Sequence, residues 1–169
     1  RLLAYSSVSH LGLIVFGLTT WNRIGMEGSF IQMFNHGITL GALFAMTAMI
    51  EERTGNTRMD CLGGLWGRSP VWSFFFLVAA LASLGLPGLN NFIGEILILA
   101  GAFKTQPLLG ALAVPSILLA AAYMLRLVQK VIWGKSPAGL VWNEATPREV
   151  LILVPLLILI FWVGCYPQT

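Results

Sequence analysis

Five stretches of this chain, residues 2–22, 28–50, 69–94, 105–125 and 150–169, contain no Asp, Glu, Lys or Arg. Each is close to the roughly 20 residues that carry a helix across a hydrocarbon core. Lipid offers no partners to open backbone N–H and C=O groups, so such stretches must close their hydrogen bonds internally. The expected fold is therefore an all-α membrane protein, with five transmembrane helices in a single transmembrane region over 1–169. The spans are placed at about 2–20, 28–50, 70–103, 107–133 and 147–166. Composition agrees, with 57% apolar and 10% charged residues against about one quarter charged in an ordinary soluble domain. The chain opens on Arg1 without the charged start and cleavage site of a signal peptide, so it reads as a piece of a longer protein.

The net charge of +3 is a topology signal. No basic cluster with interleaved aromatics is present, which argues against a nucleic-acid partner. Arg1, Arg53, Arg58, Arg68, Arg126, Lys130, Lys135 and Arg148 fall on one face, eight of the ten basic residues, and Arg23 and Lys104 fall on the other. By the positive-inside rule the first face, with the N-terminal end, lies inside and the C-terminal end outside. Cys61 and Cys165 then lie near opposite faces, too far apart for a disulfide or a shared metal. Trp21 suits an interface, and "EERTGNTRMDCLGGLWGRSP" reads as an ordered surface connection. Gly134 is a candidate cap for the fourth helix, and "TPRE" a capping box for the fifth, with Pro147 at its first position.

The third span is the odd one. Residues 69–103 would make a straight helix about 52 Å long, against a core of about 30 Å. Within it, Pro87 removes a backbone donor and disfavours helical geometry at Leu86, while Gly85 and Gly88 permit a left-handed turn. Either the span is one crossing broken near 85–91, or "GLPGLNN" tips a re-entrant hairpin. A hairpin would turn the eight-to-two charge bias into five-to-five, so the count favours the single broken crossing. Irregular backbone at that depth is tolerated only inside protein or beside water, which implies a polar interior. Asn90 or Asn91 is expected to cap the second half-helix.

Glu95 follows the break and is the only acidic residue well inside an apolar run. A carboxylate at membrane depth is costly enough to mark function, the plain alternative being an ion pair that fixes packing. His10, in "YSSVSHLG", and His36, in "QMFNHGITLG", also sit inside spans. Histidine accepts a proton at one nitrogen while releasing one from the other. Ser6 stands one turn before His10, with Tyr5 and Ser9 nearby, and Gln32 and Thr39 flank His36 on one helix face. Together Glu95, His10 and His36 suggest a proton path; taken singly, each histidine also fits an interhelical hydrogen bond. Haem ligation is a weaker alternative, because paired-haem bundles usually supply two histidines per helix. No GxGxxG, phosphate loop, CxxC or GxSxG motif occurs.

Four segments, "LLAYSSVSHLG" (2–12), "IQMFNHGITLGALF" (31–44), "GGLWGRSP" (63–70) and "GLPGLNNFIGEILILAGAF" (85–103), resemble the antiporter-like proton-pumping subunits of respiratory complex I, of the kind called M in bacteria and 4 in mitochondria. That resemblance implies a fold of fourteen helices with two inverted five-helix repeats, of which this C-terminal fragment supplies the tenth to fourteenth. It implies that Glu95 is the glutamate of the broken helix, at the outer end of the proton route. His10 and His36 would continue a hydrated central axis, with further essential residues on earlier helices. Lys104, about 13 Å beyond Glu95 along a helix, would be either an exit residue or an interfacial anchor.

The implied function is a subunit of a proton-translocating NADH:quinone oxidoreductase with no catalytic or redox site of its own. NADH, FMN, iron–sulfur clusters and quinone are expected on partner subunits. Expected partners are other membrane subunits, including sister antiporter-like ones, and the lipid bilayer. The expected location is a bacterial inner membrane, or an organellar inner or thylakoid membrane. A subunit of a multisubunit cation/proton antiporter or of a membrane-bound hydrogenase is the alternative within transport; a haem-binding or scaffolding membrane protein is the alternative outside it.

Overall fold

The computed structural model describes residues 1–59, 62–135 and 142–166. Among them there are six α-helices and no strand: α1 (Leu2–Thr19), α2 (Arg23–Thr54), α3 (Pro70–Ser83), α4 (Asn90–Thr105), α5 (Pro107–Ile132) and α6 (Pro147–Cys165). Four of them, α1, α2, α5 and α6, are long and apolar enough to cross a membrane. The expected third span is occupied by α3 and α4, with residues 84–89 between them outside any helix.

Local chemistry sets the helix ends. α1 stops where the hydroxyls of Thr19 and Thr20 donate to the carbonyls of Phe16 and Gly17. Asn22 then caps α2 by accepting from the Gly25 N–H at 2.9 Å, and its amide donates to the Gly101 carbonyl at 2.9 Å, so one side chain joins the α1–α2 turn to the far end of α4. α2 runs longer than expected, from Arg23 rather than Gly28 and to Thr54 rather than Ile50, because Asn22 starts it earlier and left-handed Gly55 (φ 65°) ends it later. The charge-free run marks the apolar depth of the helix, not its length. The capping box of α6 forms as expected: Thr146 accepts from the Glu149 N–H and Glu149 returns the bond. Gly134 does not act as the expected left-handed cap, since α5 ends at Ile132 with Trp133 following it and Gly134 has no positive φ.

Glycines let α2 and α4 pack against each other almost backbone to backbone. A Cβ on Gly28 would stand 2.7 Å from the Ile98 nitrogen, and one on Gly101 2.5 Å from the Gly25 nitrogen. Small residues allow such approaches, and close packing is what holds helices together in lipid. α2 and α4 run antiparallel: Gly25 lies by Gly101, Gly28 by Ile98, Gln32 by Gly94 and Asn35 by Asn90. α1 covers this pair, with the Ser29 hydroxyl donating to the Ile14 carbonyl at 3.0 Å.

A larger apolar core joins the other half of α2 to α3, α5 and α6 through Leu43, Met46, Trp72, Phe76, Met124, Val128 and Leu153. At that end of the bundle Arg53 pairs with Glu149, donates to the Asn143 carbonyl at 2.7 Å and lies over the Trp142 ring. Ser69, at the start of α3, donates to Glu144. The connections after α2 and after α5 therefore meet at one end, and Asn22 and Lys104 stand at the other. The proposed separation of Cys61 from Cys165 involves Cys61, which lies outside the described residues.

Candidate functional site

Between α3 and α4 the chain turns through Gly85 (φ 68°) and Gly88 (φ 91°), the left-handed region in which glycine carries no Cβ penalty. The last turn of α3 closes with Leu84 N–H to the Ala80 carbonyl and Gly85 N–H to the Ala82 carbonyl, and Leu89 N–H bonds back to Leu86. Leu89, not an asparagine, stands before α4, and no side chain caps that helix. Asn90 is instead the first helical residue and turns across to α2. Its amide donates to the Asn35 carbonyl at 3.1 Å and to Thr39 Oγ1 at 3.1 Å, while the Asn35 amide donates to the Asn90 carbonyl at 2.7 Å. This reciprocal clasp fixes the start of α4 halfway along α2, which is why the expected capping role passes to backbone geometry.

Glu95 lies a turn and a half into α4 and is 4% exposed. Its carboxylate folds back over the break, since a Cβ on Gly85 would overlap both Oε2 and the carboxyl carbon. Oε1 lies 3.5 Å from His10 Nδ1, an ion-pair separation too long for a strong hydrogen bond. The His10 ring stands 5.2 Å from the His36 ring, centroid to centroid, and His36 Nε2 is 3.0 Å from Ser7 Oγ. Helices α4, α1 and α2 thus bring Glu95, His10 and His36 into one buried file that ends on Ser7. A cavity of about 10 Å³, bounded by Ser9, His10, Leu13, Glu95, Ser116, Ile117 and Ala120, adjoins Glu95. That volume is about enough for one water.

Gly85, Glu95, His10 and His36 come together; the remaining sequence candidates do not. Pro87 and Gly88 are exposed on the outer side of the turn, where the Gly88 carbonyl meets the end of α6 around Gly164 and Cys165. Lys104 is exposed in the last turn of α4, away from the file. Tyr5, offered as company for His10, faces outward at 75% exposure, and Ser6 donates to its own helix at Leu3. Thr39 serves Asn90 rather than His36. Ser7 and Asn35 are the polar partners that sequence inspection missed, and Asn90, expected as a cap, serves as a third. Ser7 and Asn35 stand within one turn of a flagged histidine, so spacing alone was a usable signal.

Buried side-chain atoms without a direct hydrogen bond gather at the same depth: His10 Nε2, both ends of the Gln32 amide, Asn35 Oδ1 and both ends of the Asn91 amide. Buried polar atoms are rarely left so, and ordered water is the usual partner. The site gathers titratable and hydrogen-bonding groups inside an apolar bundle.

Residues 1–120 match the family model described as NADH:quinone oxidoreductase/Mrp antiporter, TM. The chain belongs to that family. It is 38% identical over 168 residues to NADH-quinone oxidoreductase subunit M of Pseudomonas aeruginosa, covering 99% of this chain and 33% of that protein. It is 36% identical over 170 residues to NADH-ubiquinone oxidoreductase chain 4 of Marchantia polymorpha, covering 99% of this chain and 34% of the relative. The structure superposes with a TM-score of 0.93 on a chain of respiratory complex I from Thermus thermophilus with bound NADH, at 32% identity over 99% of this chain and 35% of that one. This chain therefore spans about a third of the length of the relatives it matches. It is an integral membrane chain with the antiporter-like fold.

Proposed function

We propose that this chain forms part of a proton-translocating membrane subunit of an NADH:quinone oxidoreductase, and that protons move among His36, His10 and Glu95. The observation that carries this reading is the convergence of the three on one buried file from three helices, with a water-sized cavity beside Glu95. Each histidine can take a proton at one nitrogen and pass one from the other, and Glu95 can be loaded and discharged at the end of the file. Names of the relatives support the assignment to complex I. Redox centres, NADH and quinone would then belong to partner subunits, and sister antiporter-like subunits would be neighbours in the membrane.

On this reading α3 and α4 together make one crossing, the third of five, interrupted at mid-membrane. Support comes from their outer ends: α3 starts beside Glu144 and α4 finishes beside Asn22, at opposite ends of the bundle. The break serves function because it frees the turn at Gly85 to receive the Glu95 carboxylate. The end carrying most of the basic residues would face the bacterial cytoplasm, or the matrix or stroma of an organelle. Lys104, exposed at the opposite end, acts as an interfacial anchor. Haem ligation gains no support, since His10 and His36 turn toward Glu95 and Ser7 with their rings too close to admit a macrocycle.

A second reading, cation/proton exchange, draws on the antiporter half of the family description. The two separate in the full-length protein within its assembled complex. Glu95→Gln keeps size and hydrogen bonding but cannot load a proton, so it should lower protons moved per electron while assembly and quinone reduction with artificial donors persist; Glu95→Asp should be milder. An unchanged ratio in Glu95→Gln removes the residue from the path. A ratio that depends on sodium rather than on Glu95 favours exchange.

A further inference from the structure

Resting on the proton-path reading, we propose that Ser116 of α5 is a positioning residue for Glu95, holding the water that carries a proton from His10 to Glu95, and that Tyr123 supports it from the same helix face. α5 is the helix that sequence inspection left without a role. Over residues 107–125 its only polar side chains are Ser116 and Tyr123. They stand seven residues apart, two helical turns, and so share a face. Ala120 lies between them on that face, is buried, and bounds the same cavity as Ser116 and Glu95. Leu118, on the opposite face, is exposed. Ser116 thus lines the cavity beside the buried carboxylate, and Tyr123 follows it on the same face.

Their chemistry is complementary to what Glu95 lacks. Ser116 donates its single proton to the Ala113 carbonyl at 2.6 Å, so toward the cavity its oxygen can only accept. A water there directs one hydrogen to Ser116 Oγ and the other to the Glu95 carboxylate, and turns its own lone pair to His10. This matters because His10 Nδ1 and Glu95 Oε1, 3.5 Å apart, are poorly placed for direct exchange. In the step, the N–H bond of protonated His10 breaks as an O–H bond forms on the water. The water releases its own hydrogen to Glu95 at the same time. The products are neutral His10, protonated Glu95 and an unchanged water. Tyr123 supplies a further buried hydroxyl from α5, near Ser6 of α1.

The test uses the full-length protein in its assembled, reconstituted complex, with Ser116→Ala, Ser116→Thr, Tyr123→Phe and Glu95→Gln compared per assembled complex. Ser116→Ala should slow proton transfer about tenfold and shift the pH profile of pumping, while Ser116→Thr, which keeps the hydroxyl, restores both. Tyr123→Phe should shift the same profile with assembly retained. A structural role for Ser116 predicts lost complex without a changed pH profile, and no rescue that depends on the hydroxyl. If Glu95→Gln abolishes pumping while Ser116→Ala and Tyr123→Phe match the wild type, the α5 inference falls and the path stands. If Glu95→Gln also pumps normally, both fall.

Discussion

Gly85→Ala and Gly88→Ala form a matched pair that separates the geometry of the break from the position of the carboxylate. Both glycines have positive φ, 68° and 91°, so each alanine incurs a left-handed backbone penalty of about 1–2 kcal/mol. Their surroundings differ. A Cβ at Gly88 meets nothing within 4 Å, whereas one at Gly85 overlaps the Glu95 carboxylate. Gly88→Ala should therefore lower stability only by the backbone term, a change of roughly 5- to 30-fold in the unfolded population. Gly85→Ala should add displacement of Glu95 from His10. The assay is thermal unfolding of the full-length protein in detergent, alongside protons moved per electron in the assembled complex. Comparable melting shifts with pumping lost only in Gly85→Ala support the seat of Glu95 against the turn. Equal pumping in the two variants would refute it.

Other expectations follow from packing and charge. Gly28→Ala, which drives a Cβ into the α4 backbone, should destabilise by about 1–3 kcal/mol, whereas Gly37→Ala and Gly41→Ala, with nothing within 4 Å, should be neutral or slightly stabilising; melting temperatures distinguish them. Arg53→Ala removes the partner of Glu149 and the donor to Asn143, and should lower stability by about 1–3 kcal/mol, read in the same melting assay. Glu144 lies outside the spans. Burial pushes its carboxyl up, but hydrogen bonds from Ser69 and from the backbone N–H groups of Ala145, Trp72 and Val71 outweigh that and hold it below its ordinary value. A depressed carboxylate stabilises the fold above its unfolded pKa, and the contribution is lost as pH falls through the folded one. Ser69→Ala should accordingly shift acid unfolding to higher pH.

The sequence carried most of this architecture, because the features that specify membrane helices are one-dimensional. Charge-free runs, the Gly–Pro–Gly signal at 85–88 and the Thr–Pro–Arg–Glu box at 146–149 act through neighbours along the chain. Glu95, His10 and His36 were legible for a related reason: polar groups at depth are costly, so their presence alone is informative. What escaped was lateral. That Asn90 clasps Asn35 and Thr39 rather than capping α4 depends on how α2 lies against α4, which the glycines at 25, 28, 94 and 101 decide together. The pairing of Ser7 with His36 and the facing of Ser116 toward Glu95 likewise depend on helix rotation. A hydropathy pattern weakened by lipid-facing apolar residues leaves that rotation undetermined.

The central claim is that Glu95 changes protonation as the complex turns over, and infrared difference spectroscopy of the assembled complex during quinone reduction tests it most directly. The account predicts a carboxyl band that appears or vanishes on turnover, shifts in heavy water, and is missing from Glu95→Gln. Identical difference spectra for the wild type and Glu95→Gln would contradict it.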